Sequence, residues 1–274
     1  MEYSTNRGEG MEIIVLVKQV PNTTQVKIDP KKGTLIREGV ESIVNPEDLI
    51  ATEAALQLRE RYGGKITAIS MGPTQAKEAL QEVLAMGIDA GILLTDKAFA
   101  GADTLATSYT LGQCIKTLGK YDLVICGRQA IDGDTAQIGP QVAEFLKVPQ
   151  ITYVRKIKVS GKKIIAERML EDGYEQIEAQ LPALITVVKE LTDARYPSVN
   201  GIMNACVYNE VRIKVWNAAD IKATADRIGL KGSATWVTKT FSPERKRAGM
   251  KLTGTPQEIA KKLISELHDR NLIH

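Results

Sequence analysis

Histidine, cysteine and aromatic residues are scarce in this 274-residue chain, and each scarcity excludes a class of protein. The two histidines, His268 and His274, both lie near the C-terminus, which leaves no His-based triad and no zinc site, and no metal is expected. Cys114, Cys126 and Cys206 are too widely spaced for a disulfide framework or a CxxC site, and they point to a reducing, cytoplasmic setting. Aromatics make up only 5%, with no basic–aromatic stacking pattern, so nucleic acid is not an expected partner. No apolar run reaches the roughly 18 residues of a membrane span. No G-x-G-x-x-G follows the first strand and no G-x-x-x-x-G-K-[ST] occurs, which excludes an ordinary Rossmann dehydrogenase and a P-loop ATPase.

What is present is average globular composition, 43% hydrophobic and 25% charged with 22 glycines, on a chain long enough to bury a core without staples. The formal charge of +3 hides a division. Residues 1–150 hold 15 Lys/Arg against 19 Asp/Glu, a net −4, and residues 151–274 hold 21 against 14, a net +7. A chance surface distribution and a basic half that docks on something acidic both account for this.

The polar stretch Met1–Gly10 lacks the apolar core of a signal peptide and reads as an extension or a cloning remnant, with Met11 an alternative start. Strand and helix then alternate. Ile13–Lys18 is a buried parallel strand, and residues 19–44 form a long connection. Asn45-Pro46-Glu47-Asp48 opens a helix with a cap, a proline and two acids, and Gly63-Gly64 ends it. Lys65–Met71 is the second strand, followed by a helix from Gly72-Pro73 to Met86. Ile88–Thr95 is the third strand, residues 103–118 a helix, and Tyr121–Cys126 the fourth strand. Four β–α units predict an α/β fold of three layers, a mostly parallel sheet with helices on both faces.

After Pro149 the pattern changes. Ile151–Val159, Lys163–Leu170 and Tyr174–Leu181 read as an antiparallel ribbon, and Ala183–Lys189 as a buried strand. Residues 191–209 read as irregular, and 239–254 as a basic arm leading to an amphipathic helix over 256–269, with Ile259, Leu263 and Leu267 on one stripe. The expected organisation is an extension (1–10), an α/β nucleotide-binding domain (11–190), an irregular segment with its return to the domain (191–238) and a C-terminal arm (239–274).

Ligands of open α/β sheets bind beyond the carboxyl ends of the strands, which here carry Lys18, Met71 and Gly127-Arg128-Gln129. Small and polar residues from Gly127 to Gly139 suit the approach of backbone N–H groups to a phosphate, with a helix expected to start near Asp134 and Arg128 adding a charged contact. An ordinary turn capped by Asp134 or Thr135 accounts for the same residues. Lys18 reads equally as a phosphate ligand or a surface lysine, Cys126 as packing, and Trp216 and Trp236 as core or interface residues. No nucleophile, base and orienter occur together, so no catalytic side chain is expected.

The ordered blocks Val17-Lys18-Gln19-Val20-Pro21, Val44-Asn45-Pro46, Ser70-Met71-Gly72-Pro73, Ala85-Met86-Gly87-Ile88-Asp89 and, above all, Gly127–Pro140 resemble the β subunit of electron transfer flavoproteins over residues 11–274. The resemblance implies an electron carrier rather than a free-standing enzyme, paired with an α subunit across which the C-terminal arm reaches. It implies a nucleotide site of Leu16, Asn45, Pro46, Glu47, Asp48, Met71 and Gly127, Arg128, Gln129, Ala130, Ile131, Asp132, Gly133, Asp134, Thr135, Ala136, Gln137 and Ile138, with Lys18 beside it. It also implies a partner-recognition loop over Asp193–Cys206 that includes Tyr196, Val199, Ile202 and Met203. Simpler members hold AMP in β; electron-bifurcating members hold a second FAD there that is reduced by NADH. The block Asp132-Gly133-Asp134-Thr135-Ala136-Gln137-Ile138-Gly139-Pro140 is similar to the bifurcating branch, whose partners are a flavin dehydrogenase of the acyl-CoA type and ferredoxin. An ATP-binding α/β protein of the adenine-nucleotide-hydrolase or stress-protein type shares the fold pattern and is the competing reading.

Overall fold

A computed structural model describes residues 10–22, 41–207, 212–238 and 249–273. The chain divides into two compact units, Met1–Thr238 and Lys239–His274.

The first unit is built on β1 (Met11–Leu16), whose six residues contain no polar position except Glu12. Its side chains alternate across the sheet. Ile13 and Val15 enter a core with Ala51, Ala55 and Leu56 of helix α1 (Pro46–Tyr62) and Leu80 and Val83 of α2 (Lys77–Met86). Ile14 and Leu16 enter a second core with Tyr109 and Ile115 of α3 (Thr104–Leu118) and Val142 of α4 (Ile138–Leu146). A continuous apolar run is thus the pattern of a strand buried on both faces.

β1 lies between β4 (Gly64–Met71) and β6 (Leu123–Gly127), parallel to both. Outside β4 stand β5 (Ala90–Leu94) and β11 (Ile213–Trp216); outside β6 stand β10 (Ala183–Val187), β7 (Gln150–Ser160), β8 (Lys163–Met169) and β9 (Tyr174–Gln180). The chain passes from β1 outwards through β4 and β5, then returns to the other side of β1 as β6. The crevice beyond the carboxyl ends of β1 and β6 is therefore the switch point at which open α/β sheets take ligands. β8 and β9 pair antiparallel, as the ribbon pattern predicts.

Three features depart from the sequence reading. The ends of the long connection pair as a two-stranded sheet of β2 (Gln19–Pro21) and β3 (Ser42–Val44), while its middle falls outside the described residues. The segment read as irregular contains helix α5 (Val199–Val207), started by Ser198, whose Oγ accepts from Gly201 N at 3.0 Å. α4 begins at Ile138 and not near Asp134, because Asp134 and Ala136 adopt left-handed φ values of 51° and 53° that no right-handed helix accommodates. Trp216 packs partly buried on the second core, and Trp236 is 71% exposed.

The second unit holds α6 (Pro256–Asp269), in which Thr255 and Glu258 form a reciprocal capping box. Leu263 on its apolar stripe is 47% exposed. Met1–Glu9 and most of the basic arm, 239–248, lie outside the described residues.

Candidate nucleotide site

Three segments meet at the switch point: the end of β1, the first turn of α1, and the loop that leaves β6. Asp48 ties them together from inside. Its carboxylate accepts from Lys18 N at 2.8 Å and from Gly127 N at 3.1 Å, so a single side chain joins the ends of β1 and β6. Burial pushes the Asp48 carboxyl up to about 7, against hydrogen bonds from Lys18, Asn45 and Gly127 that favour the ionised form. Gly127 has no room for a side chain, because a Cβ there would stand 2.6 Å from Asp48 Oδ1 and 2.7 Å from Glu47 Cβ.

Asn45, fully buried, holds the next stretch of loop: its Nδ2 donates to Gln129 O at 2.9 Å and its Oδ1 accepts from Ile131 N at 3.1 Å. Glu47 accepts from Gln129 N at 3.0 Å and pairs with Arg128 Nη2 at 3.0 Å. On the outer side Lys18 Nζ pairs with Asp132 at 2.6 Å, and Gln129 bonds Asp134. The first turn of α1 is thus engaged in positioning the loop. Neither Asp132 nor Asp134 caps a helix, contrary to the simplest reading of those acids; Gln137 is the residue that precedes α4.

Beyond these clamps the loop opens outwards. Asp134 and Gly133 both donate to Ala130 O, at 2.8 Å and 3.3 Å, and a side chain at Gly133 would meet nothing within 4 Å. Among the described residues, no acceptor takes the N–H groups of Thr135, Ala136, Gln137, Ile138 or Gly139. Successive free N–H groups at a helix N-terminus beside left-handed residues form a concavity suited to an anion. Leu16 is buried at the end of β1, Met71 is partly buried at the end of β4, and Pro46 is exposed at the start of α1. All the residues expected at the site therefore lie on these three segments and the end of β4.

Two residues that the sequence did not single out complete the cluster. Tyr153 has a left-handed φ of 56°, at a bulge where the register of β7 against β10 shifts between Ile185 and Val187. Its N–H is held by Thr186 Oγ1 at 3.1 Å, and its ring lies 5.7 Å from the Arg128 guanidinium carbon. Arg128 Nε is buried with no partner among the described residues. No local signal marks Tyr153, because its conformation follows from the pairing of strands distant in sequence.

Cys126 is buried at the end of β6, and burial pushes its thiol up, which keeps it an inert packing group. Among the described residues no group of three or more His, Cys, Asp and Glu stands together to hold a metal. Among the described residues no helix is long and apolar enough to cross a membrane.

An α/β sheet whose switch point carries a concavity of backbone N–H groups has the architecture of a nucleotide-binding fold. The family profile described as the electron transfer flavoprotein domain matches residues 32–220. The chain is 55% identical over 263 residues to the electron transfer flavoprotein subunit beta of Thermoanaerobacterium thermosaccharolyticum, a match covering 96% of this chain and 100% of that one. It is 54% identical over 265 residues to the caffeyl-CoA reductase-Etf complex subunit CarD of Acetobacterium woodii, covering 96% and 100%. It is 44% identical over 269 residues to the acryloyl-CoA reductase electron transfer subunit gamma of Anaerotignum propionicum, with the same coverages, 96% and 100%. The chain belongs to the electron transfer flavoprotein family, as one of its β subunits. This places it outside the competing class of stress-type ATP binders.

Proposed function

We propose that the chain, assembled with an α subunit, carries electrons from NADH by flavin-based bifurcation, with FAD in its own nucleotide site. What carries the reading is the Gly127–Gly139 loop: its free N–H groups and its open crest at Gly133 suit a nucleotide's phosphates. The similarity to subunits named for caffeyl-CoA reductase and acryloyl-CoA reductase complexes supports an acyl-CoA-type flavin dehydrogenase as partner. In this reading NADH is oxidised and its two electrons are divided between the α-subunit flavin, on the way to the dehydrogenase, and ferredoxin. A flavin, when bound, supplies the redox chemistry; the chain binds it, orients it and sets its surroundings.

The nucleotide-site residues then fall into two groups. Thr135–Ile138, Lys18 and Arg128 face the phosphates, and Asn45, Glu47 and Asp48 hold the loop in place from behind. The exposed apolar residues Tyr196, Val199, Ile202 and Met203 form the dehydrogenase-docking surface, and the 239–274 arm engages the α subunit. The setting is cytoplasmic. Flavin analysis of the purified α–β heterodimer tests the proposal: two FAD per heterodimer are expected, and one FAD plus one AMP removes the bifurcation claim and leaves the simpler carrier.

A further inference from the structure

The stretch between β10 and α5 has no long helix or strand, yet it is firmly tied. Arg195 Nε and Nη2 bond the two oxygens of Glu53 at 2.7 and 2.9 Å, and its backbone N–H reaches Glu53 Oε2 at 3.3 Å. Arg195 Nη1 bonds Glu60 at 2.6 Å. Gln57 donates to Glu53 Oε1 at 2.9 Å and to Thr192 Oγ1 at 3.0 Å. Glu53, Gln57 and Glu60 recur at i, i+4 and i+7, on one face of α1. Glu53 is only 4% exposed. Burial alone would push its carboxyl up, but the bonds from Arg195 and Gln57 prevail and hold it below its usual value.

The very next residue, Tyr196, is 95% exposed. Three residues on, α5 begins, and it is seated on α2 at Gly201, where a Cβ would stand 2.1 Å from Ala85 O, and at Ala205, 2% exposed. Tyr196–Val199 is therefore a short apolar span fixed at both ends, by a bidentate ion pair and by a helix seat. Such ordering before encounter removes an entropy loss that docking would otherwise incur.

We propose that Arg195, gripped by Glu53 and Glu60 of α1, is a positioning residue that pre-orders the Tyr196–Val199 span for the redox partner, setting docking affinity and not the electron-transfer step. The inference rests on the reading of this surface as the dehydrogenase-docking site. Lysine cannot replace Arg195, because a single ammonium does not span both Glu53 oxygens and Glu60.

The test uses the intact α–β heterodimer as the varied substrate of a purified acyl-CoA dehydrogenase supplied with its acyl-CoA. Arg195→Gln is expected to raise KM for the heterodimer about tenfold, with kcat and nucleotide content within about twofold of the parent. Arg195→Lys should fall between the two. Glu60→Gln releases one guanidinium nitrogen at a half-exposed site, leaves the buried pair intact, and should raise KM by a smaller factor; it carries the test should Arg195→Gln not assemble. Val199→Asp and Met203→Asp separate the two levels of the argument. If these raise KM while the Arg195 and Glu60 variants do not, the positioning role is overturned and the docking reading stands. If none of the variants raises KM, both fall. A parallel loss of kcat or nucleotide in Arg195→Gln would show a general structural role and also overturn the proposal.

Discussion

Asp48 shows how much can rest on one carboxylate. It is buried, it bonds the backbone of both strands at the switch point, and its pKa is pushed from 3.8 to about 7 by burial. A carboxyl whose folded-state pKa lies above its unfolded value keeps a proton in the fold that the unfolded chain has released. Its contribution to stability is complete below the unfolded pKa and is lost as pH rises through the folded one. With these values, the chain should lose about 2 kcal/mol of stability between about pH 5.5 and about pH 8.5. Asp48→Asn cannot titrate, and its amide accepts only one of the two N–H groups while aiming a donor at the other. It should be less stable than the parent by about 1–3 kcal/mol at the acid end, with the gap narrowing or reversing at the alkaline end. Denaturant unfolding of both proteins across that range checks this, and parallel pH profiles would count against Asp48 as the titrating group.

α5 is the element whose seat is narrowest. Gly201 and Ala205, one turn apart, let it approach α2 so closely that a Cβ at Gly201 would stand 2.1 Å from the Ala85 carbonyl oxygen. Gly201→Ala should lift α5 at a cost of about 1–3 kcal/mol, with faster hydrogen exchange confined to α5 and unchanged protection in β1 and β4. Exchange spread through the sheet would instead mean that α5 supports the whole unit. The same helix shows where sequence patterning runs out. β1, β4, β5 and β6 were legible because unbroken apolar runs flanked by turns and capped helices have few other solutions. α5 was hidden because Asn200, Gly201 and Asn204 are weak helix formers and its buried face consists of small residues; only Ser198 as a cap signalled it. The acids at Asp132 and Asp134 imitate a cap and predict a helix start near Asp134, whereas the left-handed turns at Asp134 and Ala136 delay α4 to Ile138. At the site, the strand-end rule predicts that β1, α1 and β6 converge, and the bonds of Asp48 join them. That Asn45, Glu47 and Asp48 spend their polar atoms on the loop was not legible, because a side chain's partner across some 80 residues leaves no local trace.

The uneven charge of the chain acquires a location once the two units are separated. Residues 239–274 hold 8 Lys/Arg against 4 Asp/Glu, so a net +4 of the +7 in residues 151–274 sits on the 36-residue second unit. That unit has an apolar stripe on α6 in which Leu263 is about half exposed, and a capping box that makes the helix persist at its start. Charge of one sign on such an element steers association, and it does so over a range set by ionic strength: the Debye length is about 10 Å at 0.1 M salt and about 3 Å at 1 M. Apolar contact, by contrast, is not weakened by salt. If the arm engages the α subunit as proposed, the two forces separate experimentally. The rate of α–β assembly should fall several-fold as salt rises from about 0.02 M to about 0.5 M, because long-range attraction sets the encounter. Lys261→Glu with Lys262→Glu should abolish most of that salt dependence, and Leu263→Asp should leave it intact while accelerating dissociation, because apolar contacts act after encounter. Mixing labelled subunits in a stopped-flow instrument reads both rates. An assembly rate insensitive to salt would mean that the basic excess of the arm serves no docking, and that its charge is no more than a solvated surface.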